Sequence, residues 1–211
     1  MEQKSIRSAL FGAVFFGSIW GLVEASLGHA LHYLPVQISG FIMFPIALII
    51  MRTAIHTVED IRVVYFMSII AALIKLTDLF IPGLPWVKTI NPALALLIEG
   101  TAVYLTADIL SEGPGFIQLQ RSFLLNIGWR AVFILFAAAI HIFTPARVTL
   151  VTGIKPVMTF LFINGLISTV LCWFVIRMNR LPNFKAFTAN RLRWLPTLAA
   201  LASSLLAQRV W

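Results

Sequence analysis

Glu24, Lys75, Asp78, Glu99 and Arg130 each interrupt a long apolar run of this chain. An ionisable group in a hydrocarbon setting costs several kcal/mol unless it faces a bundle interior, a partner or water, so each is a candidate functional group. The local contexts are "WGLVEASLG" for Glu24, "AALIKLTD" for Lys75 and Asp78, and "NPALALLIEG" for Asn91 and Glu99. Carboxylates and cations of this kind can pair to hold helices together, or orient a ligand by charge-assisted hydrogen bonds. A carboxylate there can also titrate in proton-coupled transport. Trp86, Asn91, Asn164, His29 and His32 add hydrogen-bonding groups and flat surface, a mixture that suits a binding site. His29 and His32, three residues apart, could ligate a metal with Glu24 or Asp78, but a histidine pair near a helix end is a thin basis and no metal or other cofactor is expected. HExxH, CxxC, GxSxG, P-loop and glycine-rich dinucleotide motifs are absent, so no enzyme is expected and any ATP hydrolysis must come from another chain.

What positions these groups must be a membrane bundle. The chain has 211 residues, of which 60% are hydrophobic and only 11% charged, with mean hydropathy +0.93, far outside the soluble range. The net charge of +8 does not indicate nucleic acid, because the basic residues flank apolar segments instead of mixing with aromatics on a polar surface. One cysteine, Cys172, excludes an intramolecular disulfide. The first apolar run is too long for a cleavable signal, and no small-residue cleavage site follows it.

Six segments read as membrane helices: Ser8 to Leu34, Ile38 to Met51, Val63 to Phe80, Pro92 to Leu110, Ser122 to Ile142 and Pro156 to Ile176. Residues 1–178 are thus expected to form an all-α six-helix membrane domain, with 179–211 a basic tail. Within the tail, the short run "LPTLAALASSLLAQ" reads as an interfacial or partner-packed helix with Leu198, Leu201 and Leu205 on one face; a seventh span is the alternative. Lys4, Arg7, Arg52, Arg62, Arg121, Arg177, Arg180, Lys185, Arg191 and Arg193 fall on one side, against Lys88, Arg147 and Lys155 on the other. The positive-inside rule then puts both termini in the cytoplasm of an inner-membrane, multi-pass protein. By helical rise, Glu24 stands roughly 24 Å above Ser8, Lys75 and Asp78 roughly 18 and 22 Å above Val63, and Glu99 roughly 12 Å below Asn91. Arg130 and Asn164 fall near mid-membrane, so the polar set converges on the outer half as a cavity open to the outside.

Ala9, Ala13, Gly17, Gly21 and Ala25 recur every fourth residue and give the first helix a stripe of small side chains. In lipid, close helix packing depends on such residues. The stripe serves packing within the bundle, docking of another subunit, or both, one at each end.

A small six-helix protein with cytoplasmic termini, "ALFGA" in helix one and an outward polar cavity resembles the substrate-binding S components of energy-coupling factor vitamin transporters, over roughly residues 5 to 178. The resemblance implies that Ala9 and Ala13, with Gly17 beyond them, dock a transmembrane coupling subunit with its ATPases. It also implies that the loops Leu34 to Gly40 and Ile81 to Asn91 close over a vitamin-type substrate. No motif of a defined vitamin subfamily is present. The leading expectation is a substrate-capture subunit for uptake of a small polar or amphipathic nutrient. A self-sufficient proton-coupled carrier and a structural membrane subunit are the alternatives. Membrane lipid is an expected partner, nucleic acid is not, and a homo-oligomer is left open by the small-residue stripe.

Overall fold

In a hydrocarbon medium each backbone polar group must be satisfied within its own segment, so long apolar runs broken by short polar turns fold as helices. The computed structural model describes residues 2–31, 39–110, 113–143, 153–178 and 194–210, and all of the regular structure there is helical. Helix α1 is Glu2–Val23, which continues through a π-helical turn, Glu24–Gly28, into His29–Leu31. Helix α2 is Ser39–Val58, and α3 is Arg62–Leu76 with a 3-10 turn at Thr77–Phe80. Helix α4 is Val87–Leu105 and α5 is Gly115–Phe143. Helix α6 opens as Ile154–Met158, passes a second π-helical turn at Thr159–Ile163 and ends as Asn164–Arg177. Helix α7 is Trp194–Val210.

Five stretches are long and apolar enough to cross a membrane: Ser8–Gly28, Phe41–Val58, Arg62–Phe80, Gly115–Phe143 and Ile154–Arg177. The chain is therefore an all-α, multi-pass membrane protein. Two expected spans are corrected. The second runs on past Met51 to Val58, and Arg52, which a lipid-facing position would not tolerate, donates to the Val175 carbonyl on α6. The fourth begins at Val87 and ends at Leu105; Lys88, Asn91, Pro92 and Glu99 keep it below the apolarity of the five, though it packs between α3 and α5.

Helices α1 and α3 lie side by side and run parallel. Gly12 meets Val63, Gly17 meets Met67 and Ile70, and Gly21 meets Ile74. A methyl group at Gly17 would stand 2.8 Å from the Met67 carbonyl oxygen, so this approach requires glycine. At Gly100 on α4 it would stand 2.3 Å from Ser68 Cβ, which fixes α4 against the other side of α3. Ala9 and Ala13 are 0% and 1% exposed, and Gly17 is buried. Ala9, Ala13 and Gly17 are thus buried against the chain's own helices, because small side chains let α1 settle onto α2 and α3.

The tail helix joins the same bundle. Helix α7 packs along α1, with Ser204 at Gly21 and Gln208 at the ends of α1 and α3. It runs parallel to α1, so Gln208 lies at the Asp78 end of the bundle while Gly12 of α1 lies toward the Arg62 end. Thr197, Ser204 and Gln208 are buried against the bundle, whereas Leu198 and Leu205 of the leucine face are exposed. That polarity suits a helix facing lipid on its outer side.

Candidate functional site

At the Asp78 end, Lys75 Nζ lies 2.8 Å from Asp78 Oδ2, one helical turn away on α3. Gln208 of α7 completes this pair: with its amide nitrogen turned to Asp78 it donates to both carboxylate oxygens, at 2.9 and 3.1 Å. The same end of the amide is 3.5 Å from Lys75 Nζ. Asp78 is buried, and low dielectric strengthens each of these charge-assisted contacts.

Glu24 projects from the first residue of the π-helical turn in α1, and its charged neighbours are Lys75 and Asp78. Its carboxylate lies beside Gly28, one turn further along the same helix, where a Cβ would stand 3.3 Å from Oε1. Glu99, on α4 and 6% exposed, has Glu24 as its stronger charged neighbour and Arg130 as its weaker one. Glu24 and Glu99 make no hydrogen bond or ion pair with any of the described residues. Ionisable groups on α1, α3, α4 and α5 thus influence one another by charge in pairs: Lys75 and Asp78 act on Glu24, and Glu24 and Arg130 act on Glu99.

The Arg130 end is built differently. The guanidinium is fully buried; Nη1 donates to Asn126 Oδ1 at 2.8 Å and to the Asn126 carbonyl at 3.1 Å, one turn back on α5. Its carbon stands 4.4 Å from the centre of the Trp129 ring and 5.5 Å from that of Phe160, a cation enclosed by aromatic faces. Trp129 in turn meets Phe44 at 5.4 Å and Phe160 edge-on at 5.9 Å. Phe160 lies in the π-helical turn of α6, and Asn164, buried, restarts the regular helix after it. Gly165 packs against Ile127 and the Arg130 stem. Both π-helical turns therefore lie beside these ionisable groups, a placement common at functional sites.

Of the residues expected to form the site, Glu24, Lys75, Asp78, Glu99 and Arg130 are linked by charge in this way, and Asn164 follows the turn that carries Phe160. Asn91 stands apart, two turns above Glu99, with Oδ1 buried and no hydrogen-bond partner among the described residues. Trp86 is 42% exposed at the start of α4 and joins none of these groups. His29 is on the α1 rod with its side chain outside the described part, and His32 and the 34–38 part of the first expected lid also lie outside the described residues. No three metal-ligating side chains converge among the described residues. Asn126, Trp129, Phe160 and Gln208 were not expected. Asn126 carried a signal, being an amide four residues before an arginine in an apolar helix; Gln208 carried none while its helix read as separate.

A second feature lies on another face of α4. An apolar groove of about 610 Å³ runs between α4 and α5, lined by Leu94, Leu97, Leu105, Leu124, Val132 and Phe136, with Arg121 and Asp108 at its end. Its walls are ordinary lipid-facing chemistry. The chain matches no protein-family model, and neither the curated proteins nor the solved structures contain a match.

Proposed function

We propose that this chain captures a small polar or amphipathic nutrient in a cell membrane for uptake, with Glu24, Glu99, Lys75, Arg130 and Asn164 as the groups that orient it. The observation that carries the reading is the set of ionisable side chains on four helices of a membrane bundle, in which Glu24 and Glu99 have no hydrogen bond or ion pair among the described residues. A purely structural set would be expected to close every charge, since an uncompensated one is destabilising. The resemblance to S components of energy-coupling factor transporters adds delivery to a separate coupling subunit and its ATPases. The test is a comparison of solutes accumulated by cells expressing the wild type and by cells expressing Glu24→Gln with Glu99→Gln. At least one solute should accumulate only with the wild type; identical solute profiles would overturn the reading.

A second reading, a self-sufficient proton-coupled carrier, is favoured by two observations. Ala9 and Ala13 are buried against the chain's own helices, and Glu24 and Glu99 are carboxylates linked by charge, of the kind that exchange protons during transport. Uptake into liposomes by the protein alone, driven by a pH gradient, supports the carrier; uptake only with co-reconstituted ATPases supports the capture subunit.

A further inference from the structure

Glycines serve two opposite purposes in this bundle. At Gly12, Gly17, Gly21 and Gly100 an added Cβ would stand between 2.3 and 2.9 Å from a neighbouring helix, so those positions bring helices together. Gly128, midway along α5, meets nothing within 4 Å. It opens the wall of the apolar groove of about 610 Å³ between α4 and α5, a volume in the range of ligand sites. Along α5 the groove follows Arg121, Leu125, Gly128, Val132 and Phe136, spaced by three and four residues on one helical face. Leu125 and Trp129 form its floor, each 4% exposed, while the rim leucines Leu105 and Leu124 stand 74% and 69% exposed. The slot therefore opens toward lipid.

One end of the groove is charged. Arg121 and Asp108, the latter in the 3-10 turn Ala107–Leu110 after α4, line it there. Arg121 Nη1 donates to the Asp108 carbonyl at 2.7 Å, and Nη2 lies 3.9 Å from Asp108 Oδ2, a long ion pair whose side chains are 35% and 73% exposed. Helix α5 has 29 residues, about 44 Å of rise against a hydrocarbon core of roughly 30 Å, so Arg121, in its second turn, stands at headgroup level. From Arg121 to Phe136 the groove runs roughly 22 Å by the same rise, enough to hold an acyl chain through a leaflet of roughly 15 Å. We infer that the groove holds one acyl chain of a phospholipid with a primary-amine headgroup, its phosphate on Arg121 and its ammonium on Asp108. A guanidinium fork matches phosphate geometry, and the adjacent carboxylate presents the opposite charge to an amine beside that phosphate. A purely anionic headgroup would meet Asp108 as a like charge, and a quaternary ammonium has no N–H to donate to it. The apolar walls accept any acyl chain; the two charges at the mouth select the head. The inference stands independently of the uptake reading.

The test is native mass spectrometry of the purified, delipidated full chain in detergent, titrated with phosphatidylethanolamine, phosphatidylglycerol and phosphatidylcholine carrying identical acyl chains. The expected result is one retained lipid, with phosphatidylethanolamine bound roughly fivefold more tightly than the other two, the scale of one half-exposed ion pair. Arg121→Gln should weaken all three lipids, Asp108→Asn should abolish the preference for phosphatidylethanolamine, and Gly128→Leu should block all three by filling the slot. The Gly128→Leu variant should melt close to the wild type, since the position faces open space. Asp108→Asn, at an exposed side chain, keeps the test decisive if the filled slot disturbs α5. Equal binding of the three lipids by the wild type, a preference for phosphatidylglycerol or phosphatidylcholine, or a preference unchanged in Asp108→Asn overturns the inference. Equal retention by the wild type and a folded Gly128→Leu variant would mean annular lipid only, and overturns it as well.

Discussion

The two buried cations of this protein are answered in opposite ways. Lys75 meets a carboxylate one turn away, and Gln208 braces that carboxylate from the tail helix. Arg130 is answered by an amide and two aromatic rings, while Glu99, the carboxylate that acts on it by charge, has no ion pair among the described residues. The Lys75 end is a closed structural contact that ties α3 to α7. The Arg130 end is held in place by neutral groups, which keeps the guanidinium fixed without spending the carboxylate. In a low-dielectric bundle, the position of the unspent charge marks where a ligand can gain most.

This contrast predicts a graded set of outcomes. Arg130→Ala removes a fully buried cation, strands Asn126 and leaves Glu99 and Glu24 opposed only by Lys75; a stability loss of about 3–5 kcal/mol is expected, read from unfolding in denaturing detergent. Next in size is Gly100→Ala, whose methyl group would stand 2.3 Å from Ser68 Cβ and must push α4 from α3, at about 1–3 kcal/mol. Gly128→Ala on the groove side meets nothing within 4 Å and should change stability by less than about 0.5 kcal/mol, which separates packing from composition. Asp78→Asn loosens the Lys75 end, but Glu24 remains beside Lys75; thermal unfolding should show a loss of about 1–2 kcal/mol, less than at Arg130. The smallest effect on stability belongs to Glu99→Gln, which relieves like charge: its melting temperature should equal or exceed that of the wild type. A large stability loss there would erase the distinction between the two ends, since Glu99 would then be structural.

Much of this arrangement is legible in the sequence. Charges inside apolar runs cannot be bland in a membrane, and Glu24, Lys75, Asp78, Glu99 and Arg130 could be ranked by depth from helical rise alone. The ladder from Ala9 to Ala25 revealed a close helix contact but not its partner; small residues specify how near a neighbour comes, not whether it belongs to the same chain. Pro92 reads as the first turn of a helix, yet α4 starts at Val87 and carries the proline inside. In helix α7 the leucine register is legible, but the buried stripe of Thr197, Ser204 and Gln208 is not. Only the packing of α7 on α1 could show which face turns inward. The same packing predicts that single cysteines at Ile6 and at Arg209 are labelled by impermeant reagents from opposite sides of the membrane; labelling from one side would contradict the parallel placement of α1 and α7.

The central claim is that Glu24 and Glu99 together hold a ligand. Native mass spectrometry of the protein, extracted gently from the membrane in which it is expressed, tests this most directly, with wild type compared against the Glu24→Gln, Glu99→Gln double variant. The account predicts a small molecule retained by the wild type and lost from a double variant that is equally folded. The same molecule retained by both proteins, or none retained by either, would contradict it.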